Sequence, residues 1–273
     1  MTTDVVRGHV RGPAGEVSYL EWTGDEGLAP VLCLHPVNTA AGIWSDSVGS
    51  LSRRVIAVDY RGHGRSAEGE QRYPSDFAAD ARAVADHLGL DRVHLLGGSI
   101  GGAVSVEFTA AAPERVASIG LFGATLHLGV GAADLAEMTA ALRELGVREW
   151  FDRHGGEILG PQAAPGSAER LTQFAAEGRS VETVVANIET TFGRADARPV
   201  AEGLRAAGVL PPVTVVVGAA DPTCPPAMAR DMAEALGTTA AAVRVLDGVG
   251  HLPMLEVPHR VAAIVESTLV DLP

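Results

Sequence analysis

The amino-acid sequence predicts an α/β fold in which a mostly parallel β-sheet is flanked by helices. Short apolar runs rich in Val, Ile and Leu alternate along the chain with longer amphipathic stretches rich in Ala, Arg and Glu. Such alternation is typical of a parallel sheet covered by helices. The chain has 273 residues, of which 47% are hydrophobic, so it is long and apolar enough to bury a substantial core.

The individual elements follow from these patterns in chain order. The stretch HVRGPAGEVSYLEW is predicted to form an antiparallel hairpin that turns at Pro13 to Gly15. Later apolar runs predict strands at Val31 to Leu34, Arg54 to Val58, Arg92 to Leu96, Val116 to Phe122, Val213 to Val217 and Ala242 to Leu246. Amphipathic stretches predict helices at about Ser75 to Leu88, Ile100 to Ala112, Pro226 to Leu236 and Pro258 to Leu269.

One long segment, from about Leu126 to Ala207, breaks the alternation because it contains only helical patterns. It has too few apolar residues for a core of its own. We therefore expect a helical cap at residues 126–207 over a core domain made of residues 1–125 and 208–273.

The composition excludes several classes of function. A net charge of −13 repels phosphate backbones and anionic membranes, so we expect a small-molecule substrate and neither a nucleic-acid nor a membrane partner. The chain contains no lysine, which excludes Schiff-base, pyridoxal phosphate and Walker-type phosphate-loop chemistry. Cys33 and Cys224 show no metal-ligand spacing and are expected to be packing residues.

Two further expectations concern location and assembly. The first ten residues lack the apolar run of a signal peptide, and no run of about 18 apolar residues occurs as a membrane span requires. We expect a cytoplasmic protein that is a monomer or a homodimer.

The stretch LLGGSIGGA, residues 95–103, places Ser99 between two glycine pairs, after a predicted strand and before a predicted helix. This is the context in which G-x-S-x-G forms a tight turn that exposes a nucleophilic serine. Glycines are needed on both sides because neighbouring Cβ atoms would clash where strand and helix approach. The motif alone is equally compatible with a glycine-rich packing turn, so the remaining residues must decide.

A serine hydroxyl needs a base, and the base needs an acid that orients it. Asp221 follows a predicted buried strand, and His251 lies in a Gly-rich loop after the last strand, so the chain order is Ser, Asp, His. The other eight histidines lie in helical, strand, insertion or earlier loop positions. Asp247 is the rival acid, but it lies at the end of a strand, and we favour Asp221.

Together these residues resemble the α/β-hydrolase fold over nearly the whole chain apart from the helical segment. Further matching stretches are DYRGHGRS at residues 59–66, PERV at 113–116, and GHLPMLEVP at 250–258, in which the resemblance implies that Glu256 is a structural contact. Within this superfamily, the chain resembles the 3-oxoadipate enol-lactonases and related carboxylesterases and C–C bond hydrolases.

The stretch LCLHPVNTAAGIW resembles the segment that supplies part of the oxyanion hole in this family. The resemblance implies that the backbone N–H groups of Val37 and Ile100 are the donors, with the Asn38 amide as the next candidate. Pro36 stands where the family usually has glycine, and Gly98 replaces a common histidine or aromatic residue, which is expected to widen the pocket floor. Substrate-binding candidates are Asn38, Gly98, His127 and Trp150, with Met138, Phe151, Phe174 and Phe192 as further possible pocket residues.

The predicted activity is transfer of an acyl group to water by Ser99, His251 and Asp221, without a cofactor or a metal. We expect activity to rise with pH as His251 becomes neutral. A C–C bond hydrolase or a cofactor-free oxygenase that uses the same histidine is the first alternative. The second is a ligand sensor that keeps the three residues but signals through the cap, and repeated turnover of simple esters separates it from an enzyme.

Overall fold

Eight strands form one sheet in the computed structural model of the protein, which describes residues 5–70 and 73–269. The spatial order is β1-β2-β4-β3-β5-β6-β7-β8. In chain order the strands are β1 (Val5–Gly12), β2 (Gly15–Trp22), β3 (Val31–Leu34), β4 (Val55–Val58), β5 (Val93–Gly98), β6 (Val116–Phe122), β7 (Val213–Gly218) and β8 (Arg244–Leu246).

The sheet confirms the predicted fold class. Strands β1 and β2 form the predicted hairpin, with Gly12 opposite Gly15, and β2 pairs antiparallel with β4. All the other pairings are parallel. The boundaries differ by two residues or more at three strands. Strand β1 begins at Val5, before the predicted hairpin stretch, and β5 continues to Gly98, past the predicted end at Leu96. At the last strand the predicted start Ala242 belongs to a short 3₁₀ turn, and pairing begins at Arg244.

Helices cover both faces of the sheet. They are α1 (Ser45–Val48), α2 (Pro74–His87), α3 (Gly101–Ala111), α4 (Ala132–Leu145), α5 (Val147–His154), α6 (Ser167–Ala176), α7 (Val181–Ile188), α8 (Arg198–Ala207), α9 (Pro226–Ala235), α10 (Pro253–Glu256) and α11 (Pro258–Thr268). The four helices predicted from amphipathic patterns are α2, α3, α9 and α11, each within one residue of its expected bounds. Within the described ranges, none of the helices combines the length and the apolar character that crossing a membrane requires.

The buried apolar side chains form two clusters, one on each face of the sheet. One joins α2, α3, α8 and α9 to the sheet through side chains such as Phe77, Phe108, Leu204 and Met232. The other contains Trp44 and Val48 with Val261 of α11, and it continues into the long segment between β6 and β7 through Phe151 and Leu171. That segment therefore shares a core with the sheet, as expected from its low apolar content.

The segment between β6 and β7 is helical, with a 3₁₀ turn at Gly155–Ile158 and a π-helical turn at Glu189–Arg194. Its two ends meet, because His127 bridges to Asp196 and the Ala197 N–H donates to the Leu126 carbonyl over 2.9 Å. Helix α8 follows this closure and packs with α3 and α9. Helix α8 therefore lies against the layered core. The name insertion is used below for residues 126–197, the part of the predicted cap that precedes α8.

Candidate active site

Ser99 occupies the tight turn between β5 and α3. Its backbone is left-handed, with φ of +51°, a conformation that costs a non-glycine residue about 1–3 kcal/mol and is held only where the surroundings enforce it. The flanking glycines allow the close approach. A Cβ on Gly97 would lie 2.5 Å from the Gly101 carbonyl oxygen, and a Cβ on Gly101 would lie 2.4 Å from the Leu34 carbonyl oxygen. The hydroxyl is thus placed at the carboxyl edge of the sheet.

His251 and Asp221 reach the same edge from the loops that follow β8 and β7. Both oxygens of the Asp221 carboxylate lie near His251 Nδ1, at 3.1 and 3.0 Å. A carboxylate only accepts, so Nδ1 carries the proton and Nε2 is left to accept from the Ser99 hydroxyl, 3.0 Å away. The three side chains are buried. The structure thus brings together the serine, histidine and aspartate singled out in the sequence, and the rival Asp247 is exposed.

Backbone groups fix the acid and the base. Asp221 Oδ1 accepts from the N–H groups of Thr223 and Cys224, each at 2.8 Å. The His251 N–H donates to the Ile158 carbonyl of the insertion over 2.8 Å. Because these contacts hold both loops, the imidazole has little freedom to leave the serine.

Glu256 supports the same loop as a structural contact. Its buried carboxylate accepts from the N–H groups of Gly250 and Leu252, on either side of His251, and from that of Gly160 in the insertion, at 2.7 to 2.8 Å. One side chain therefore joins the histidine loop to the insertion.

The proton affinity of His251 departs from that of a free imidazole. Burial lowers its pKa, but the neighbouring Cys224 and the hydrogen bond and charge of Asp221 raise it more, to about 10. Cys224, which its sequence position predicts to be a packing residue, thus does more than pack, because it changes the pKa of the base. The side-chain donor atoms of Asp221, Cys224 and His251 all lie within 4.8 Å of one another.

These three residue types can ligate metals. Here, however, the Asp221 carboxylate and His251 Nδ1 already bind each other, and Asp221 also binds two backbone N–H groups. The arrangement serves a proton-transferring pair better than it serves a metal.

The two predicted oxyanion donors lie in the loop after β3 and directly after Ser99. Among the residues that the structure describes, the N–H groups of Val37 and Ile100 have no hydrogen-bond acceptor. Ile100 is the residue that precedes α3, where the helix dipole favours negative charge. Val37 lines the cavity described next. An oxyanion donor needs such an unpaired N–H group, and the assignment of Val37 and Ile100 as the two donors stays a prediction.

A cavity of about 660 Å³ lies between the sheet edge and the insertion. Ser99, His251, Val37 and Asn38 border it on the sheet side. The insertion supplies most of the opposite wall, with Met138, Trp150, Phe151, Ile158, Ile188 and Phe192. A mainly apolar wall with a few polar groups at one end is typical of a small-molecule site.

Two predicted substrate-binding residues are placed elsewhere. The expectation that Gly98 widens the pocket floor is wrong, because the space beside it is filled: a Cβ there would lie 2.6 Å from Met254 Cε and 3.1 Å from Pro36 Cγ. The expectation for His127 is wrong as well. Its Nδ1 contacts the Ala195 carbonyl at 2.9 Å where the ends of the insertion meet, and the cavity lining does not include it.

Phe174 also lies outside the lining. Its ring packs beside Gly42 instead. Of the candidate substrate-binding residues, Asn38 and Trp150 therefore remain at the cavity.

Comparison with known proteins agrees with this arrangement. The model of the alpha/beta hydrolase family matches residues 31–264, so the chain belongs to that family. The segment resembling the oxyanion loop, the serine turn and the loops of Asp221 and His251 all lie inside the matched range.

Two similar proteins differ in how much of each chain they cover. The dihydrolipoyllysine-residue acetyltransferase component of the acetoin cleaving system of Pseudomonas putida is 39% identical over 119 residues, 42% of this chain and 31% of that protein. Rhodomycin D methylesterase from Streptomyces sp. (strain C5) is 27% identical over 90% of this chain and 92% of its own length. The match spans only about a third of the length of the first curated relatives.

Solved structures share the fold over nearly the whole chain. An esterase from Thermogutta terrifontis has a TM-score of 0.80 at 24% identity and covers 96% of this chain and 97% of its own. The enol-lactonase from Burkholderia xenovorans LB400 has a TM-score of 0.78 at 21% identity, with 95% and 97% coverage. The resemblance to enol-lactonases and esterases drawn from the sequence is thereby confirmed at the level of the fold.

Proposed function

We propose that this protein is a serine hydrolase that cleaves a carboxylic ester or lactone of a small, largely apolar substrate through an acyl-enzyme intermediate. The observation that carries the proposal is the hydrogen-bonded chain from Asp221 through His251 to Ser99, with Ser99 and His251 at the cavity. Similar proteins named as a methylesterase, an esterase and an enol-lactonase support the same class of bond.

In the first half-reaction Ser99 Oγ attacks the carbonyl carbon while His251 Nε2 takes the hydroxyl proton. The N–H groups of Val37 and Ile100 stabilise the negative charge that forms on the carbonyl oxygen. When the tetrahedral intermediate collapses, the bond to the leaving oxygen breaks and that oxygen receives the proton from His251. From an ester the alcohol departs, whereas from a lactone the new hydroxyl group stays attached to the acyl chain. In both cases the acyl group remains on Ser99.

In the second half-reaction His251 takes a proton from water, and the resulting hydroxide attacks the acyl carbon. Collapse of this second intermediate releases the carboxylic acid and returns the proton to Ser99. Asp221 keeps the imidazole in the correct tautomer and stabilises its charged form throughout. None of these proposed reaction steps requires a cofactor or a metal.

The insertion acts in this proposal as a cap that selects the substrate. Its aromatic and aliphatic residues favour an apolar group. Asp134, Glu137 and Glu157 are the acidic groups in the lining, and within the described residues no arginine belongs to it. Because like charges repel, anionic substrates are disfavoured.

The experiment is hydrolysis of a panel of p-nitrophenyl esters and lactones, followed by intact mass analysis of the quenched enzyme. We expect multiple turnovers and a mass increase that equals the acyl group, absent from Ser99→Ala. Release of one equivalent of p-nitrophenol with no further turnover contradicts the hydrolase and favours a ligand sensor. Turnover without any acyl adduct, under conditions in which deacylation is rate-limiting, contradicts the acyl-enzyme.

A further inference from the structure

Asn38, next to the predicted oxyanion donor Val37, has an unusual backbone and is tightly held. Among the described residues, Asn38 and Ser99 are the two non-glycine residues with positive φ, and Asn38 has φ of +54°. Only 2% of its surface is exposed, yet it borders the cavity. Its carbonyl oxygen accepts a hydrogen bond from Arg179 Nη2 at 3.3 Å. The position of its side chain is thus set by the surrounding structure.

The side-chain amide of Asn38 is oriented by a residue of the insertion. Asn187 Nδ2 lies 3.1 Å from the Gly62 carbonyl oxygen and 3.2 Å from the Asn38 side chain. A carbonyl oxygen only accepts, so the group of Asn187 that faces Gly62 must be its NH₂. The same NH₂ then donates to Asn38, and the atom of Asn38 that faces it must be Oδ1.

Because Asn38 Oδ1 accepts from Asn187, the other end of the Asn38 amide, Nδ2, points away from Asn187. Within residues 5–70 and 73–269, Nδ2 has no hydrogen-bond acceptor. A buried amide with an unused donor is unfavourable unless another molecule supplies the acceptor. Asn38 and Asn187 are both almost fully buried, so an acceptor must come through the cavity that Asn38 borders.

We propose that Asn38 Nδ2 donates a hydrogen bond to the substrate, and that Asn187 is the positioning residue that keeps this donor turned towards the cavity. The proposal rests on the hydrolase function above and narrows its substrate class. Because Asn38 adjoins Val37, its partner is an acceptor oxygen close to the reacting carbonyl. The substrate is therefore an ester or lactone that carries a second oxygen, as a carbonyl, ether or hydroxyl group, next to the bond that is cleaved.

The test compares esters of equal shape with and without that oxygen. On the acyl side the pair is p-nitrophenyl methoxyacetate and p-nitrophenyl butyrate, and on the alcohol side it is 2-methoxyethyl butyrate and butyl butyrate. For each pair the ratio of kcat/KM is measured in the wild type and in Asn38→Gly. Intrinsic reactivity cancels when the two ratios are compared.

Asn38→Gly removes the donor but keeps the backbone, because glycine adopts positive φ without strain. We expect the ratio to fall about 5- to 10-fold in one of the two pairs, as loss of one hydrogen bond implies. The melting temperature falls by no more than the lost Asn187–Asn38 hydrogen bond explains, and the protein stays folded. Equal losses for both members of each pair overturn the proposal. If the wild type hydrolyses none of these esters, the hydrolase function itself fails, which is a separate result.

The role of Asn187 is tested by Asn187→Asp and Asn187→Ala. In Asn187→Asp the new carboxylate accepts from Asn38 Nδ2 and turns Oδ1 towards the cavity, so the ratio falls at least as far as in Asn38→Gly. Asn187→Ala lowers the ratio less than Asn187→Asp does. It also serves as the second variant if the buried carboxylate of Asn187→Asp prevents folding. In the double variant Asn38→Gly/Asn187→Ala the ratio matches that of Asn38→Gly. A purely structural role for Asn187 lowers the melting temperature and leaves the ratio unchanged, and this outcome contradicts the proposal.

Discussion

The carboxyl edge of the sheet and the insertion form opposite walls of one cavity, and they are held in different ways. At the sheet edge, Ser99, Asp221 and His251 each follow a strand of the same ladder, so strand pairing determines their spacing. On the insertion, Trp150 and Phe192 are half-buried on helical segments. The difference indicates that the three proposed catalytic residues are placed rigidly, whereas the wall proposed to contact the rest of the substrate can vary without disturbing them.

The largest expected effect comes from the sheet edge. Ser99→Ala, His251→Ala and the double variant should each lose activity by a factor of order 10³ or more, and by about the same factor, because the pair acts as a unit. The measurement is kcat with an ester whose acylation is rate-limiting. Losses that add in the double variant would show that the two residues act independently, which the proposed mechanism forbids.

The next effect tests the backbone donor at Val37. Val37→Pro removes the N–H and keeps an apolar side chain, whereas Val37→Ala keeps the N–H. We expect the proline variant to lose about 10² to 10³ in kcat, with little change in KM, because the donor binds a charge that exists only beyond the ground state. The alanine variant should lose far less.

Circular dichroism and the melting temperature must show that Val37→Pro remains folded, since it places two prolines in succession and restricts the loop. Equal losses in two folded variants would mean that Val37 acts through packing.

A smaller effect is expected from the insertion wall. Trp150→Ala and Phe192→Ala should change the ratio of kcat/KM between short and long esters by a factor of about 10, because each removes apolar contact with one part of the substrate. Phe108→Ala, in the buried core of α3, is the matched control. It should lower the free energy of unfolding by about 3–5 kcal/mol and leave the ratio unchanged. The reverse pattern would assign Trp150 and Phe192 to the core.

The smallest expected effect is a pH dependence that has opposite signs for activity and for stability. Attack requires neutral His251, and its pKa is raised to about 10, so the rising limb of kcat/KM against pH should lie above the ordinary histidine value near 6.5. The raised pKa stabilises the folded protonated form. That contribution is complete below about 6.5 and is lost as pH rises towards 10. Activity should therefore rise while stability falls.

Cys224→Ala tests the origin of that shift. It removes the sulfur beside His251 but keeps the backbone N–H that donates to Asp221. We expect the rising limb of kcat/KM to move to lower pH, as measured by pH profiles of the two proteins with the same ester. An unmoved limb would assign the shift to Asp221 alone.

Much of the sheet side of this molecule can be predicted from local patterns. The runs around Val31, Val116 and Val213 become buried strands because continuous apolar segments need cover on both faces. The glycines around Ser99 predict a tight turn because no larger residue fits between strand and helix. Asp221 and His251 can be selected because parallel strands bring their carboxyl ends to one edge.

The residues that could not be predicted depend on segments far apart in the chain. The space beside Gly98 is filled by Met254, Cys224 lies beside His251, and Asn187 binds Asn38 across 149 positions. A local sequence pattern does not predict such contacts, because its periodicity indicates only which face of one segment is apolar. The sequence by itself therefore determined the α/β architecture and the serine turn. Only tertiary packing decided which side chains reach the cavity and in which orientation, since that depends on how separate segments fill the space between them.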